Sequence, residues 1–288
     1  MARDLLEDVI VELLKMAVTK LPPDVLKALE KARDEETSEV ARSQLNTVIR
    51  NIKLAEGSEI PMCQDTGIHL FYVSGRCDLD LDWSIRRGVE RATKEIPLRP
   101  NLVDPLTREN PGNNLGHGMP YIHFSPAERD FLEITVMPKG AGSENMSSLG
   151  MLTPSQGIKG VKAFVLDSVV RAGGKPCPPT IVGIGLGGSA DLAGHLAKTS
   201  LFRPLDKPND DLTLQSLEQD LKEMLNRTGI GPMGLGGRTT VLGVRINKAA
   251  CHTASLPVAV NIQCWANRRA SARIYDDGRV QFSQLGFS

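Results

Sequence analysis

The 288-residue chain has no run of about 18 apolar residues, so no transmembrane helix is expected. It has no excess of either charge: Lys plus Arg is 34, as is Asp plus Glu. That balance argues against a general nucleic-acid or membrane-surface binder, which would show a basic surplus. It leaves room for a local basic pocket that takes a small dianion. Aromatic residues are sparse at 4%. The start, Met1-Ala2-Arg3-Asp4, lacks the basic stretch, apolar core and small-residue cleavage site of a secretory signal. The 5 cysteines, at 63, 77, 177, 251 and 264, are odd in number and hold no Cys-x-x-Cys pair. That excludes zinc-ribbon spacing and the local ferredoxin pattern, and fits a reducing cytoplasm better than a disulfide framework.

What is there centres on Pro61-Met62-Cys63-Gln64-Asp65-Thr66-Gly67. This stretch sets a thiol, an amide, a carboxylate and a hydroxyl in one short turn. Residues Ile68 to Val73 follow as a strand, and polar groups on a loop held by a strand are a common layout for a site. The plain alternative is a buried cysteine beside an Asx turn.

Upstream, Leu5, Leu6, Val9, Ile10, Leu13, Leu14 and Ala17 recur at three- and four-residue spacing, which predicts an amphipathic helix ending before Pro22-Pro23. A second helix is expected over Asp24 to Arg33. A third covers Ser38 to Ala55, with Val40, Leu45, Val48, Ile49 and Ile52 on its buried face. Downstream, Asp82 is expected to cap a helix that runs through Lys94.

Prolines on both sides of Arg99, in Pro97-Leu98-Arg99-Pro100-Asn101, hold a guanidinium on a stiff loop suited to a carboxylate. A surface arginine is the plain alternative. Residues 104 to 120 form a long Pro-, Gly- and Asn-rich loop in which His117 reads as a solvated turn residue. Tyr121 to Phe124 and Phe131 to Met137 read as strands joined by a polar turn. The loop Lys139-Gly140-Ala141-Gly142-Ser143-Glu144-Asn145 can present backbone amides to an oxyanion. A helix is expected over Gly157 to Ala172. Cys177 sits among prolines before a strand at Thr180 to Ile184.

Gly183-Ile184-Gly185-Leu186-Gly187-Gly188 matches G-x-G-x-x-G before a helix at Ala190 to Ser200, the pattern of a nucleotide-binding oxidoreductase domain. The following Phe202-Arg203-Pro204 stretch does not supply the second strand of that fold. Further elements are a helix over Asp211 to Arg227 and strands at Val241 to Ile246 and Val258 to Ile262. A turn at Asp276-Asp277-Gly278 joins two final strands. Cys251-His252 lie in a loop, and Cys264 ends a strand.

Cys63, Cys177 and Cys264 share a setting at strand–loop junctions. Three thiolates converging there would suit an iron–sulfur cluster with one iron lacking a protein ligand, which acts as a Lewis acid. The segments PMCQDTG, PLRPN, KGAGSENMS, KPCPP with GIGLGG, TGIGPMGLGG and CHTASLPVAVNIQCWANRR occur in order between Cys63 and Arg269. In these the chain resembles the α subunit of class I (iron–sulfur) fumarate hydratases, equivalent to the N-terminal domain of the single-chain enzymes.

The resemblance implies a [4Fe–4S] cluster held by Cys63, Cys177 and Cys264. It implies a substrate site lined by Gln64, Asp65, Arg99, Gly140, Ala141, Gly142 and His252, with Asp65 and His252 in catalytic roles, and leaves Cys77 and Cys251 as plain thiols. The activity implied is reversible hydration of fumarate to L-malate, a tricarboxylic acid cycle step in the cytoplasm. The single-chain enzymes carry a second domain, so a separate β subunit is expected to complete the site in an α2β2 heterotetramer built on an α–α homodimer. The L(+)-tartrate dehydratase α subunit is a close relative; the GAGSENMS loop favours the fumarate enzymes. A cluster-free binding protein on the same scaffold is a further alternative.

The architecture expected is a single α+β domain over 1–288. Residues 1–57 are mainly helical and pack on mixed sheets; 58–288 carry the site, with the three cysteines meeting on one face.

Overall fold

The computed structural model describes residues 3–75 and 80–287. In chain order the elements are α1 (Arg3–Thr19), α2 (Pro23–Glu35), α3 (Glu39–Ser58), β1 (Ile68–Gly75), α4 (Leu81–Glu95), β2 (Tyr121–Pro126) and β3 (Phe131–Lys139). Then come α5 (Ala141–Glu144), β4 (Ser148–Leu152), α6 (Gly157–Ala172), β5 (Thr180–Leu186), α7 (Ala190–Ser200) and α8 (Leu212–Asn226). Four strands close the sequence: β6 (Val241–Lys248), β7 (Leu256–Gln263), β8 (Ala270–Tyr275) and β9 (Val280–Ser283). The class is α+β, as expected. Among the described residues no helix is long and apolar enough to cross a membrane.

The residues group into two compact units. The first draws on Met1–Pro22, Asn51–Ala141 and Arg268–Ser288; the second on Pro23–Arg50 and Gly142–Asn267.

The first unit is built on a five-stranded sheet in the order β2-β1-β3-β8-β9. β1 runs parallel to β2 and antiparallel to β3. The two strands read from sequence as neighbours across a turn are thus separated by β1. The stripe foreseen on α1 is the buried one: Leu6, Ile10, Leu13 and Leu14 are fully buried, with Ile85 and Val89 of α4 and Phe71, Ile134 and Ala272 of the sheet. Burying such side chains stabilises by about 1.5–3 kcal/mol each. The N-cap of α4 is Asp80, not Asp82: Asp80 Oδ1 accepts from Trp83 N at 3.1 Å. Asp82 lies within the first turn, where its carboxylate reaches the next turn and pairs with Arg86 at 2.7 Å.

The second unit holds a four-stranded sheet, β4-β7-β5-β6, with β5 parallel to β6 and antiparallel to β7. Alternation along β5 separates its two faces. Val182 and Ile184 join Val161, Val165 and Leu221 of α6 and α8 in one core. Gly183 and Gly185 face α7: a Cβ on Gly183 would lie 2.2 Å from Ala197 O, and one on Gly185 2.0 Å from Ala193 O. The glycine pattern therefore admits a helix backbone. The parallel partner of β5 does exist. It is β6, which arrives only after a second helix, and it ends in Asn247-Lys248 rather than an acid.

On α3, Val40 departs from the expected buried face. It is 55% exposed, and Ala41 takes the buried position.

Candidate active site

The turn at 61–67 belongs to the first unit, and its backbone is tied down before the functional side chains begin. Met62 N donates to Val18 O at 2.9 Å, and Met62 O accepts from Asn51 Nδ2 at 2.7 Å. Cys63 follows, half-buried, then Gln64, exposed, and Asp65, half-buried. Gly67 has φ +82°, and a Cβ there would sit 2.7 Å from Lys139 N. Only glycine meets both demands, so β1 can start directly against the end of β3.

The Asp65 carboxylate accepts three hydrogen bonds. Oδ1 takes Gly67 N at 2.9 Å and Asn101 Nδ2 at 3.2 Å, and Oδ2 takes Ala141 N at 2.8 Å. The donors suit an ionised carboxylate, which offers about four lone-pair sites. One side chain thereby joins the Cys63 turn, the Asn101 loop and the start of α5. The Ala141 amide, expected to face substrate, is directed at Asp65 instead.

Arg99 is fixed at its backbone rather than its head. Its N donates to Thr66 Oγ1 at 3.1 Å and its O accepts from Asn114 Nδ2 at 3.1 Å. Asn114 Oδ1 also takes Asn101 N at 2.9 Å. The exposed guanidinium has no hydrogen-bond or ion-pair partner among the described residues. The flanking prolines are thus one part of the stiffness; Thr66 and Asn114 supply the rest. His117, in the same loop, is exposed, as a turn histidine should be.

Buried charge behind this turn was not singled out from the sequence. Arg268 is 1% exposed, and its Nη1 donates to Asp65 O at 2.7 Å. His69, on β1, is also 1% exposed, and neither ring nitrogen has a partner among the described residues. Burial, then the Arg268 charge, pushes its pKa down to about 4, so the ring is neutral. Arg269 and Lys139 are buried at 2% and 1% exposure. Adjacent arginines inside an otherwise strand-like segment, Asn267-Arg268-Arg269-Ala270, were the available signal.

The remaining predicted residues belong to the second unit, except Gly140, which is buried at the end of β3. Gly142 is exposed within α5. Cys177 is half-buried with φ +54°, an uncommon value for a residue with a Cβ. Its carbonyl accepts from Trp265 N at 3.3 Å. Since Trp265 follows half-buried Cys264, that bond ties two of the three cysteine segments together. His252 is exposed; its Nδ1 accepts from Ala254 N at 3.1 Å, which leaves the proton of the neutral ring on Nε2. Cys251 is exposed and Cys77 lies outside the described residues.

Among the described residues, neither unit by itself gathers three or more His, Cys, Asp or Glu into a group that could hold a metal ion. The three predicted cysteines are divided, Cys63 in the first unit and Cys177 with Cys264 in the second. As a donor set, three thiols on hydrogen-bonded backbone fit an iron–sulfur cluster.

A family model described as "Fumarate hydratase (Fumerase)" matches residues 7–273. The "Putative L(+)-tartrate dehydratase subunit alpha" of Methanocaldococcus jannaschii is 48% identical over 283 residues, 96% of this chain and 99% of that protein. The "L(+)-tartrate dehydratase subunit alpha" of Escherichia coli (strain UTI89 / UPEC) is 35% identical, covering 94% of this chain and 91% of its own length. The "Putative fumarate hydratase class I" of Geobacillus stearothermophilus is 37% identical over 89% of this chain, which spans 52% of that protein.

Proposed function

The chain belongs to the fumarate hydratase family, and from that membership we propose the α subunit of a hydro-lyase that interconverts fumarate and L-malate together with a β subunit. Relatives described as "subunit alpha" at nearly full length support the partner. An α2β2 assembly in the cytoplasm, serving the tricarboxylic acid cycle, completes the proposal.

The observation that carries it lies in the first unit. One clamp, through Thr66, Asn101 and Asn114, sets the Cys63-Gln64-Asp65 turn and the Arg99 loop together. Thiol, amide, carboxylate and unpaired guanidinium are then presented from backbone that does not have to reorganise when substrate binds.

Cys63, Cys177 and Cys264 are the residues that would hold a [4Fe–4S] cluster, which when bound supplies a Lewis-acidic iron. The chain's own side chains do the rest. Arg99 takes a substrate carboxylate through its planar fork, and Gln64 donates to a carboxylate oxygen. Backbone at Gly140 and Gly142 lets substrate approach closely, and Ala141 contributes by fixing Asp65. Asp65 has about one lone-pair site beyond its three hydrogen bonds, and there it accepts the proton from the carbon next to the hydroxyl-bearing carbon of malate, while the C–H electron pair becomes the new C=C bond and the C–O bond breaks with hydroxide leaving. In hydration it returns that proton. His252 presents Nε2–H to the substrate.

A second reading, L(+)-tartrate dehydratase, is favoured by the names of the M. jannaschii and E. coli relatives. Fumarate is preferred because the GAGSENMS loop, Gly140 to Ser147, resembles the fumarate enzymes. The test is turnover by the anaerobically reconstituted pair of subunits. Fumarate and L-malate turning over with higher kcat/KM than L(+)-tartrate supports the first reading, and the reverse order establishes the second. The α chain alone is expected to show almost no activity; full activity without a partner overturns the two-subunit reading.

A further inference from the structure

On α8, Gln215, Glu218, Gln219 and Lys222 recur at helical spacing and share one side. That side lines a cavity of about 300 Å³ in the second unit, closed by the Leu205–Pro208 connection and by Leu242–Arg245 of β6. The volume is at the small end of ligand pockets.

The charges in its wall are not balanced. Glu218 is 5% exposed and already engaged. Its Oε1 accepts from Arg203, from Asn209 Nδ2 at 2.9 Å and from Ile246 N at 2.8 Å, and its Oε2 lies 3.5 Å from Arg245 Nη1. Among the described residues Glu218 pairs with Arg203 and Arg245 and makes no ion pair with Lys222. Lys222 is half-buried, with no hydrogen-bond or ion-pair partner among the described residues. Burial lowers its pKa, and the Lys31 and Arg245 charges lower it further against the opposing effect of Glu35. Lys31 itself pairs with Glu35 at 3.7 Å. At the mouth, Asp206 and Lys207 are exposed and opposite in sign.

A desolvated ammonium beside another cation costs stability unless an anion joins it. We propose that this cavity binds a small phosphate oxyanion, with Lys222 as its main cationic ligand, the Gln215 amide donating beside it, and Gln219 adding its second N–H, the first being held by Glu223 Oε1 at 2.7 Å. Ammonium is well suited to phosphate as a point charge, and amides supply directed donors without adding charge. The source is either free inorganic phosphate or the terminal group of a small phosphomonoester; the volume admits both.

The experiment is thermal melting and calorimetric titration of the full chain at matched ionic strength, with inorganic phosphate in one arm and glycerol phosphate in the other. The parent should show saturable binding and a rising melting temperature. Lys222→Met should weaken binding by about tenfold to a hundredfold, the worth of one charge-assisted hydrogen bond. Without ligand it should melt no lower than the parent, because a strained charge has been removed. Lys222→Arg should restore part of the affinity, and Lys222→Gln serves if the methionine variant fails to fold. Binding in the phosphate arm alone assigns the free ion; binding of the ester with equal or higher affinity assigns the phosphomonoester. No saturable binding in either arm, or equal binding by the parent and both neutral variants, overturns the proposal.

Discussion

Arg268 Nη1 donates to the main-chain carbonyl of Asp65 at 2.7 Å, across 203 positions of sequence. The guanidinium is almost fully buried, so the bond is made where water does not compete for it. Its effect is to hold the back of the turn whose front presents Gln64 and the Asp65 carboxylate. The consequences are measurable one residue at a time.

Replacing Asp65 by Asn keeps the shape of the side chain but turns one acceptor oxygen into a donor. The amide then faces Ala141 N–H or the pair formed by Gly67 N–H and Asn101. Turnover by the subunit pair should fall about 10²–10⁴-fold. Stability should fall by about 1–3 kcal/mol, the cost of a buried unsatisfied group. Steady-state kinetics and urea unfolding read the two effects separately. Full turnover would remove Asp65 from the acid–base role.

The cysteine assignment is tested by analysis of iron and acid-labile sulfide per chain after anaerobic reconstitution. The parent should hold about four of each, the content of a [4Fe–4S] cluster. Cys63→Ser, Cys177→Ser and Cys264→Ser should each lose them, whereas Cys251→Ser should not. No specific iron in the parent would return the chain to a cluster-free scaffold.

His69 gives a pH dependence with a definite sign. Its folded pKa of about 4 lies below the ordinary 6.5, so the folded protein binds the proton less well than the unfolded chain. Its contribution to stability is complete above pH 6.5, declines as pH falls from 6.5 toward 4, and is constant below that. The total is about 3 kcal/mol at ~1.4 kcal/mol per pKa unit. Denaturant melts of the parent and of His69→Leu across this window should diverge in slope. Parallel curves would show that the ring is not held neutral.

Gly185 tests what the glycine pattern is for. In Gly185→Ala the new methyl would meet Ala193 O at 2.0 Å, so α7 must move away from β5. Overpacking of this kind costs about 1–3 kcal/mol. The parent should show no NAD(H) binding by fluorescence titration. Tight NAD(H) binding would instead revive the dinucleotide reading.

Much of this was legible because it is local. The spacing of Leu6, Ile10, Leu13 and Leu14 reports one buried face, and the Pro97 to Asn101 stretch reports its own stiffness. The partners of Asp65 were not legible. Gly67 could be read from the turn, but Ala141 and Arg268 reach it through β1–β3 and β3–β8 pairing, and Asn101 through the loop after α4, none of which a local pattern encodes. The same non-locality hid β1 between β2 and β3. The cap of α4 falls on Asp80 rather than Asp82 for a smaller reason: both can cap, and only the position of the first helical turn distinguishes them.

The chain path through the first unit has a consequence in time. Strand β8 pairs with β3, and Arg268 stands just ahead of β8 in the sequence. While the chain emerges from the ribosome, the Cys63–Gly67 turn is made early, yet its rear fastening is missing until Arg268 has been translated. The turn is therefore secured late, by a residue that the ribosome supplies only near the end of the chain.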